Sequence, residues 1–270
     1  DPALRAEVIG EYPLFYVFTS GTTGLPKAAI LSHMRWLAVG DGWASLLDIR
    51  PDDVFYCILP LFHGAAGMSL LSNAVAAGAA VVVRRRFSAS QFWPDVRRYG
   101  VTTVQYIGEI GRYLLNQPAQ PDDRQHPLKR MTGAGLNRDV WQRFLERFGD
   151  VEIYEGWGAT EANCSMINLD GVIGACGRIP FRERANGRLV KYDIEADDYV
   201  RNQQGFLLEC EPGEVGELIG MILAIPGLGA GRFEGYTDAA VTERKILRNV
   251  FTQGDAWYRS GDLFTRDADD

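Results

Sequence analysis

The sequence feature that most constrains the fold is a short polar loop between two apolar runs near the start of the chain. Phe15–Phe18 and Ala28–Leu31 have the composition of buried strands, and the seven residues Ser20–Pro26 lie between the first run and Lys27. Glycines in this loop let backbone N–H groups turn inward, hydroxyl groups add donors, and the lysine adds a mobile charge. The pattern predicts a hairpin that holds an anion; a flexible surface turn with a solvated lysine is the alternative. The candidate anion-binding residues are Thr19, Ser20, Gly21, Thr22, Thr23, Gly24 and Lys27.

The spacing in this loop differs from that of the common P-loop of nucleotide hydrolases. That motif has four residues between its glycines and then Gly-Lys-Ser/Thr at the start of a helix. Here Pro26 precedes Lys27, and a strand-like run follows. The string TSGTTGLPK instead closely resembles the phosphate-loop signature of the adenylate-forming superfamily, which comprises acyl-CoA synthetases, peptide-synthetase adenylation domains and luciferases. The resemblance implies that the loop holds the phosphates of ATP.

Composition and charge set the broad class of protein. The chain has 270 residues, enough for one large or two modest domains, and its 46% apolar and 23% charged residues exclude wholesale disorder. The net charge of −7 is not that of a protein whose general surface binds nucleic acid. The four cysteines are widely separated, which predicts reduced thiols and a cytoplasmic location, with peripheral membrane association left open.

One uncharged stretch of 19 residues, Ala65–Val83, has nearly the length of a membrane span. It is mostly alanine, contains polar side chains, and is interrupted by Gly67 and Gly78. We therefore expect a helix, a glycine turn and the short strand Ala79–Val83, all belonging to the core.

Apolar strand-like runs alternate with helical patterns along the first part of the chain. Ser32 and Asn137 are placed to cap helices, and Ser88 with Gln91 forms a capping box for another. This alternation predicts βαβ units and an α/β fold whose largely parallel sheet is flanked by helices. From about residue 168, crowded glycine and proline predict a β-rich subdomain with one charged helical stretch near Asp238–Val250.

Candidate site residues follow the predicted parallel strands, at the edge where α/β sheets bind ligands. His63 follows one strand, Gly133-Ala134-Gly135 another, and Trp157–Glu161 a third. The glycine segment matches the small-residue stretch against which adenine packs in the superfamily; without that resemblance it is a turn. His63 ends the string LPLFH, as in the superfamily motif whose histidine lies near the carboxylate. From the sequence alone, a structural histidine, either in the core or at a strand end, is equally open.

The string WGATE, Trp157–Glu161, matches the second superfamily signature, an aromatic residue followed by Gly-x-Thr-Glu, with tryptophan where tyrosine is usual. An aromatic face beside Gly158 can stack on adenine, and Thr160 with Glu161 can position a phosphate and its Mg²⁺. Alone, Trp157 could be a core residue and Glu161 a surface acid; their spacing favours the site.

The string YRSGD, Tyr258–Asp262, resembles the third signature, Tyr-Arg-Thr-Gly-Asp. A carboxylate presented after a glycine turn can accept hydrogen bonds from both ribose hydroxyls, which gives Asp262 a role in binding the nucleotide. The resemblance assigns catalytic roles to Lys27, His63, Thr160 and Glu161, with Thr160 and Glu161 also holding the metal.

Longer stretches narrow the resemblance to fatty acid transport proteins, the very-long-chain acyl-CoA synthetases. It covers nearly the whole chain and implies an ATP-dependent long- or very-long-chain fatty acid–CoA ligase that acts through an acyl-adenylate. ATP, Mg²⁺, coenzyme A and a fatty acid are the implied cofactors and partners, and a role in fatty acid uptake is open. The alternatives are an adenylation domain that loads a carrier protein and a membrane-docked fatty acid transport protein. The stretches that carry the likeness are Phe87–Trp93, Val104–Glu109, Arg112–Pro118, Lys191–Gly205 and Arg232–Tyr236.

Against that family, the chain resembles part of the large N-terminal domain. We expect an α/β nucleotide- and acyl-binding subdomain at 1–168, a β-rich subdomain at 169–265 that ends in the ribose-binding motif, and the start of a hinge at 266–270. The C-terminal lid domain with its lysine, and the arginine expected shortly after Asp262, are absent. We therefore expect these 270 residues alone to make no acyl-CoA.

Overall fold

The computed structural model describes residues 2–19, 26–179 and 184–268. Its helices are a 3₁₀ turn (Pro2–Arg5), α1 (His33–Leu46), a π-helix (Gly64–Leu70), α2 (Leu71–Ala77), α3 (Ala89–Tyr99), α4 (Glu109–Leu115), α5 (Arg138–Phe148) and α6 (Ala239–Glu243). Its strands are β1 (Pro13–Thr19), β2 (Lys27–Ser32), β3 (Val54–Cys57), β4 (Ala80–Val83), β5 (Thr103–Ile107), β6 (Arg130–Ala134), β7 (Glu152–Trp157), β8 (Met166–Ile167), β9 (Gly187–Asp193), β10 (Asp198–Tyr199), β11 (Val215–Met221), β12 (Ile246–Arg248) and β13 (Ala256–Thr265).

These elements form two compact units, and the chain passes between them more than once. The first unit comprises Asp1–Arg35, Gly158–Ser165 and Arg178–Asp270, and the second comprises Trp36–Trp157 and Met166–Gly177. The units therefore do not follow one boundary in the sequence. The division into 1–168, 169–265 and 266–270 stays a proposal.

The second unit contains a six-stranded sheet in the order β4-β3-β5-β6-β7-β8. Its pairs are parallel except for β7 with β8. Aromatic side chains of α3 and α5 pack together in its core, where Trp93 contacts Phe144 and Phe148. The α/β class with a largely parallel sheet is confirmed.

Local signals in the sequence predicted the starts of two helices, α1 and α5. Asn137 accepts a hydrogen bond from the Asp139 N–H and caps α5 as expected, and Ser32 Oγ accepts from the Arg35 N–H at the start of α1. Helix α3 also begins after Ser88, but the capping box is wrong, because the Ser88 side chain makes no cap hydrogen bond.

The uncharged stretch forms the expected helix, glycine turn and strand, but it does not belong wholly to the core, because Val75 is 63% and Val83 56% exposed. The π-helix continues into α2, whose C-cap is Gly78; the φ of +68° there needs a glycine, and β4 follows. Among the described residues, no helix is long and apolar enough to cross a membrane.

The first unit begins with the predicted hairpin, in which β1 and β2 are antiparallel. The expectation that both strands are buried is wrong for β1: Phe18 is 72% and Tyr16 56% exposed, whereas Ala29 and Leu31 of β2 are buried. The continuous apolar run in β1 gave no information about what covers its side chains, because that depends on contacts distant in sequence.

The β-rich part of the first unit is a five-stranded sheet in the order β10-β9-β11-β13-β12, antiparallel throughout. Asp238 caps α6 through hydrogen bonds from the Ala240 and Val241 N–H groups. The helical stretch predicted to reach Val250 is too long, since α6 ends at Glu243 and β12 follows.

A buried carboxylate ties three neighbouring strands of the parallel sheet at their amino ends. Asp53, 1% exposed and just before β3, accepts hydrogen bonds from the Thr102 hydroxyl at 2.7 Å, from Arg130 at 3.0 Å and from the Arg50 N–H at 2.9 Å. Burial alone raises the pKa of this carboxyl, but the Arg50 and Thr102 hydrogen bonds and Arg130 outweigh it and hold the pKa below its ordinary value.

We expect Asp53→Asn to lower the free energy of unfolding by about 3–5 kcal/mol at neutral pH, because Arg130 loses a buried partner. A group with a lowered folded pKa stabilises the fold above its unfolded pKa. The difference from wild type should therefore shrink as the pH falls below the ordinary aspartate pKa of 3.8. Urea unfolding over a pH series measures it.

The control is Asp52→Asn at the exposed neighbouring position, which should change stability by less than about 0.5 kcal/mol. Equal effects of the two substitutions, or an Asp53→Asn effect that is constant with pH, would contradict the role of Asp53.

Candidate functional site

The predicted anion-binding loop is described only at its two ends. Thr19 and Lys27 pair across the hairpin, and the Thr19 hydroxyl donates to the Lys27 carbonyl at 3.4 Å. The remaining predicted residues, Ser20, Gly21, Thr22, Thr23 and Gly24, lie outside the described residues. The structure therefore gives the hairpin that would carry the loop.

The strand after Lys27 is joined to the segment around Tyr236. The Ile30 N–H donates to the Gly235 carbonyl, and the Thr237 N–H donates to the Ala28 carbonyl, both at 3.0 Å. This pairing places Tyr236 next to β2, where it forms a bridge with Ala29.

Tyr236 in turn holds Glu161. Its hydroxyl donates to Glu161 Oε1 at 2.7 Å, and the glutamate is buried. Burial and the Glu161 carboxylate raise the pKa of Tyr236, which therefore stays protonated and keeps donating. Glu161 is thus no surface acid, and the first unit links its position to the strand that begins at Lys27.

Arg35 fixes the backbone on both sides of Glu161. Its Nη2 donates to the Thr160 carbonyl at 3.0 Å and to the Ala162 carbonyl. Burial lowers the pKa of this guanidinium, while the nearby carboxylates of Glu234 and Glu161 oppose the fall. A buried arginine with two carbonyl acceptors holds the Thr160–Glu161 turn in one conformation.

Glu161 meets the requirement for one ligand of a nucleotide-bound Mg²⁺. Such ions are held by one or two carboxylates together with substrate phosphates and water. The Tyr236 bond uses Oε1, so Oε2 is the oxygen that this bond leaves to a cation. In the described ranges, no cluster of three or more His, Cys, Asp or Glu side chains could hold a metal by protein ligands alone.

The predicted ribose-binding Asp262 lies within β13, at a bulge. Arg259 pairs with Ile219 and Leu263 with Glu217, so β13 has two extra residues here. Gly261 makes the bulge possible with a φ of +84°. The turn predicted from the YRSGD string is therefore an interruption inside a continuous strand.

A second buried glutamate holds this bulge. Glu217 Oε1 accepts from the Gly261 N–H at 2.9 Å, and Oε2 accepts from the Tyr199 hydroxyl at 2.7 Å. Lys245 donates to the Ser260 carbonyl at 2.9 Å, and burial lowers the pKa of its ammonium group. The backbone beside Asp262 is thus fixed from two sides.

In the second unit, three predicted site residues lie at the carboxyl edge of the parallel sheet. His63 follows β3, Gly135 follows β6, and Trp157 ends β7. Gly133 and Ala134 belong to β6 and Trp157 to β7, whereas the sequence placed all three after the strands. Apolar runs predicted the strand cores, but strand ends depend on pairing with neighbours.

His63 begins the π-helix and has a defined tautomer. Its Nδ1 accepts from the Ala65 N–H at 3.1 Å, so the neutral ring carries its hydrogen on Nε2. The ring is exposed, which excludes the buried core histidine. The arrangement leaves Nε2–H as a donor at the start of the π-helix, beyond the end of β3.

Trp157 pairs with Met166 of β8 and is partly buried. A fully buried core tryptophan is therefore excluded. Gly158 follows it directly in the chain and begins the segment that carries Thr160 and Glu161.

The segment after β6 is held by a third buried glutamate. Glu155 of β7 accepts hydrogen bonds from the Gly135 N–H and, at 3.1 Å, from the Leu136 N–H. Its other oxygen accepts from the Tyr106 hydroxyl.

Sequence reasoning missed Arg35, Glu155, Glu217 and Tyr236. One signal was present: Glu155 and Glu217 stand inside apolar strand-like runs, where an acid needs a buried partner. Arg35 and Tyr236 carried no such signal, because their partners are more than 70 residues away.

Comparison with known proteins gives a family match and close relatives. The family model described as AMP-binding enzyme matches residues 4–220. Long-chain fatty acid transport protein 2 of Rattus norvegicus is 44% identical over 97% of this chain and 42% of its own length. Long-chain fatty acid transport protein 1 of the same organism is 42% identical over 94% of this chain and 39% of its own length. The chain thus spans about two fifths of the length of these relatives.

Among solved structures, ATP-bound MatB from Rhodopseudomonas palustris superposes with a TM-score of 0.75 at 20% identity. The match covers 97% of this chain and 48% of that one. At this identity the likeness shows the fold.

We expect Tyr236→Phe to lower the free energy of unfolding by about 1–3 kcal/mol, because the buried Glu161 carboxylate loses a donor. The control is Tyr192→Phe, which removes an exposed hydroxyl bonded to Asp197 and should cost less than about 0.5 kcal/mol. Urea unfolding of both variants measures the difference; equal losses would show that the Tyr236 bond does not stabilise Glu161.

Proposed function

Because the chain belongs to the AMP-binding enzyme family, we propose that the protein containing it is an ATP-dependent long- or very-long-chain fatty acid–CoA ligase. One observation carries the adenylating part: the adenine candidates Gly135 and Trp157 and the histidine His63 lie at one edge of a single parallel sheet. That edge is where α/β sheets bind ligands.

The fatty acyl part rests on the relatives. Two long-chain fatty acid transport proteins are similar over at least 94% of this chain, at 42–44% identity. A role in fatty acid uptake, a cytoplasmic location and peripheral attachment to a membrane are parts of the same proposal.

The proposed reaction has two steps. A carboxylate oxygen of the fatty acid attacks the α-phosphorus of ATP, and pyrophosphate leaves, which gives an acyl-adenylate. The sulfur of coenzyme A then attacks the acyl carbonyl, and AMP leaves. No covalent bond to the protein forms in the first step, so the protein acts by positioning and charge neutralisation.

Each candidate residue has a role in this reaction. The loop Thr19–Gly24 and Lys27 bind the β- and γ-phosphates, and the Asp262 carboxylate accepts hydrogen bonds from the ribose hydroxyls. Thr160 and Glu161 would hold Mg²⁺, which would neutralise phosphate charge. His63 offers its Nε2–H near the fatty carboxylate. The adenine contacts are Gly133, Ala134, Gly135, Trp157 and Gly158.

Two other functions are distinguishable by experiment. An adenylation domain would pass the acyl group to a carrier protein in place of coenzyme A. A membrane-docked transport protein would bind fatty acid and liposomes without forming an adenylate.

The test uses the full-length protein with ATP, Mg²⁺ and a long-chain fatty acid. Fatty-acid-dependent ATP–pyrophosphate exchange, followed by thioester formation on addition of coenzyme A, is the expected result. Exchange without thioester would favour the carrier-loading alternative. Liposome sedimentation without any exchange would favour the docking alternative.

We expect Lys27→Ala in the full-length protein to slow ATP–pyrophosphate exchange by a factor equivalent to about 2–4 kcal/mol, because a positive charge near the leaving pyrophosphate is lost. The control is Lys191→Ala, which removes a lysine paired with Glu214. An unchanged exchange rate in Lys27→Ala would remove Lys27 from the site.

We expect Glu161→Gln to raise the Mg²⁺ concentration needed for half-maximal exchange while the KM for fatty acid stays within about twofold, because the charge of a metal ligand is lost. Glu243→Gln, at an exposed glutamate paired with Arg248, is the control. A Mg²⁺ titration that matches wild type would contradict a metal role for Glu161.

A further inference from the structure

Three adjacent strands place Tyr106, Gly133 and Glu155 in one row across the parallel sheet. Tyr106 of β5 is in register with Gly133 of β6, and Gly133 is in register with Glu155 of β7. Tyr106 and Glu155 are therefore two strands apart, about 10 Å between their backbones. Their side chains nevertheless meet, because the Tyr106 hydroxyl donates to Glu155 Oε2.

Gly133 makes this contact possible. A Cβ at position 133 would lie 2.8 Å from the Tyr106 Cγ, 2.9 Å from its Cδ1 and closer still to its carbonyl oxygen, so the backbone and the ring of Tyr106 both occupy the space of the missing side chain. The sequence assigned this glycine to adenine packing. The structure gives it a second reason: it lets the ring cross β6 to reach the glutamate.

The two oxygens of Glu155 have different partners. Oε2 accepts from Tyr106, whereas Oε1 accepts from the consecutive N–H groups of Gly135 and Leu136. The Tyr106 hydroxyl therefore fixes the rotation of the Glu155 carboxylate and directs Oε1 toward the N–H groups of Gly135 and Leu136, the two residues directly after β6. Burial raises the pKa of Glu155, and the bonds from Tyr106, Leu136 and Gly135 oppose the rise.

The opposite side of the segment is also fixed. The Gly108 N–H, which follows β5, donates to the Ala134 carbonyl at 2.9 Å. Gly108 itself is needed there, because a Cβ would meet the carbonyl of Gly135. Backbone groups at 134, 135 and 136 are thus bonded inside the protein, which holds the segment in one conformation.

We infer that Tyr106 and Glu155 are positioning residues for adenine: they hold the Gly133–Gly135 segment as a pre-formed surface against which the base packs. The inference rests on the proposed function in that it takes this segment to receive adenine. Neither side chain needs to touch the nucleotide. Pre-formed surfaces bind more tightly because ordering is not paid for on binding.

The sheet supplies a matched control. Tyr56 of β3 donates its hydroxyl to the buried Asp95, a tyrosine–carboxylate pair like that of Tyr106 and Glu155. Neither Tyr56 nor Asp95 belongs to the segment after β6. A generic loss of stability should therefore appear in Tyr56→Phe as much as in Tyr106→Phe.

The experiment measures ATP binding to the full-length protein by calorimetry, and amide hydrogen exchange in the peptide covering residues 133–136. Glu155→Met removes both acceptor oxygens at similar size and should weaken ATP binding about tenfold or more and speed exchange at Gly135 and Leu136. Glu155→Gln keeps one oxygen for the two N–H groups and should stay within about threefold of wild type. Tyr106→Phe should lie between these variants, and Tyr56→Phe should bind ATP like wild type.

The outcomes distinguish a failure of the ligase proposal from a failure of the positioning role of Tyr106 and Glu155. If wild type binds ATP as expected but forms no acyl-CoA, the ligase proposal fails and the variants still test the positioning role. The positioning role is wrong if the wild-type protein binds no ATP or if Glu155→Met binds ATP like wild type. It is also wrong if ATP binding is as impaired in Glu155→Gln as in Glu155→Met, or as impaired in Tyr56→Phe as in Tyr106→Phe.

Discussion

A tyrosine hydroxyl bonded to a buried carboxylate is the interaction on which the candidate site depends. Removing a carboxylate from water is costly unless hydrogen bonds replace the lost hydration. Three buried glutamates each accept a hydrogen bond from a tyrosine hydroxyl, and two of them, Glu155 and Glu217, also accept from backbone N–H groups. The pairs in or beside the candidate site are Tyr106 with Glu155, Tyr236 with Glu161, and Tyr199 with Glu217.

Each pair fixes candidate residues or their backbone within its own unit. Within the first unit, Tyr236 and Arg35 hold Glu161 and its flanking carbonyls, and Glu217 holds the bulge before Asp262. Such fixed geometry would suit the proposed reaction, whose first step forms no covalent bond to the protein and depends on positioning.

The sequence predicted what short-range patterns determine. The caps at Ser32 and Asn137, the hairpin and the parallel sheet follow from residue type and spacing, and all are present. Strand ends at Gly133 and Trp157, and the exposure of β1, depend on neighbours distant in sequence, and there the predictions failed. The roles of Glu155 and Arg35 were missed for the same reason, because each is defined by partners on other elements.

The close packing at Gly133 also limits what can change there in evolution. A Cβ at position 133 would lie 2.8 Å from the Tyr106 ring and closer still to the Tyr106 carbonyl oxygen, so a side chain at 133 meets the backbone of β5 whatever residue stands at 106. A smaller residue at 106 would not relieve that contact, and it would remove the hydroxyl that bonds Glu155. Among relatives, position 133 should therefore stay glycine even where positions 106 and 155 change together, and such paired changes would mark lineages in which the backbone at Gly135 and Leu136 is supported in another way.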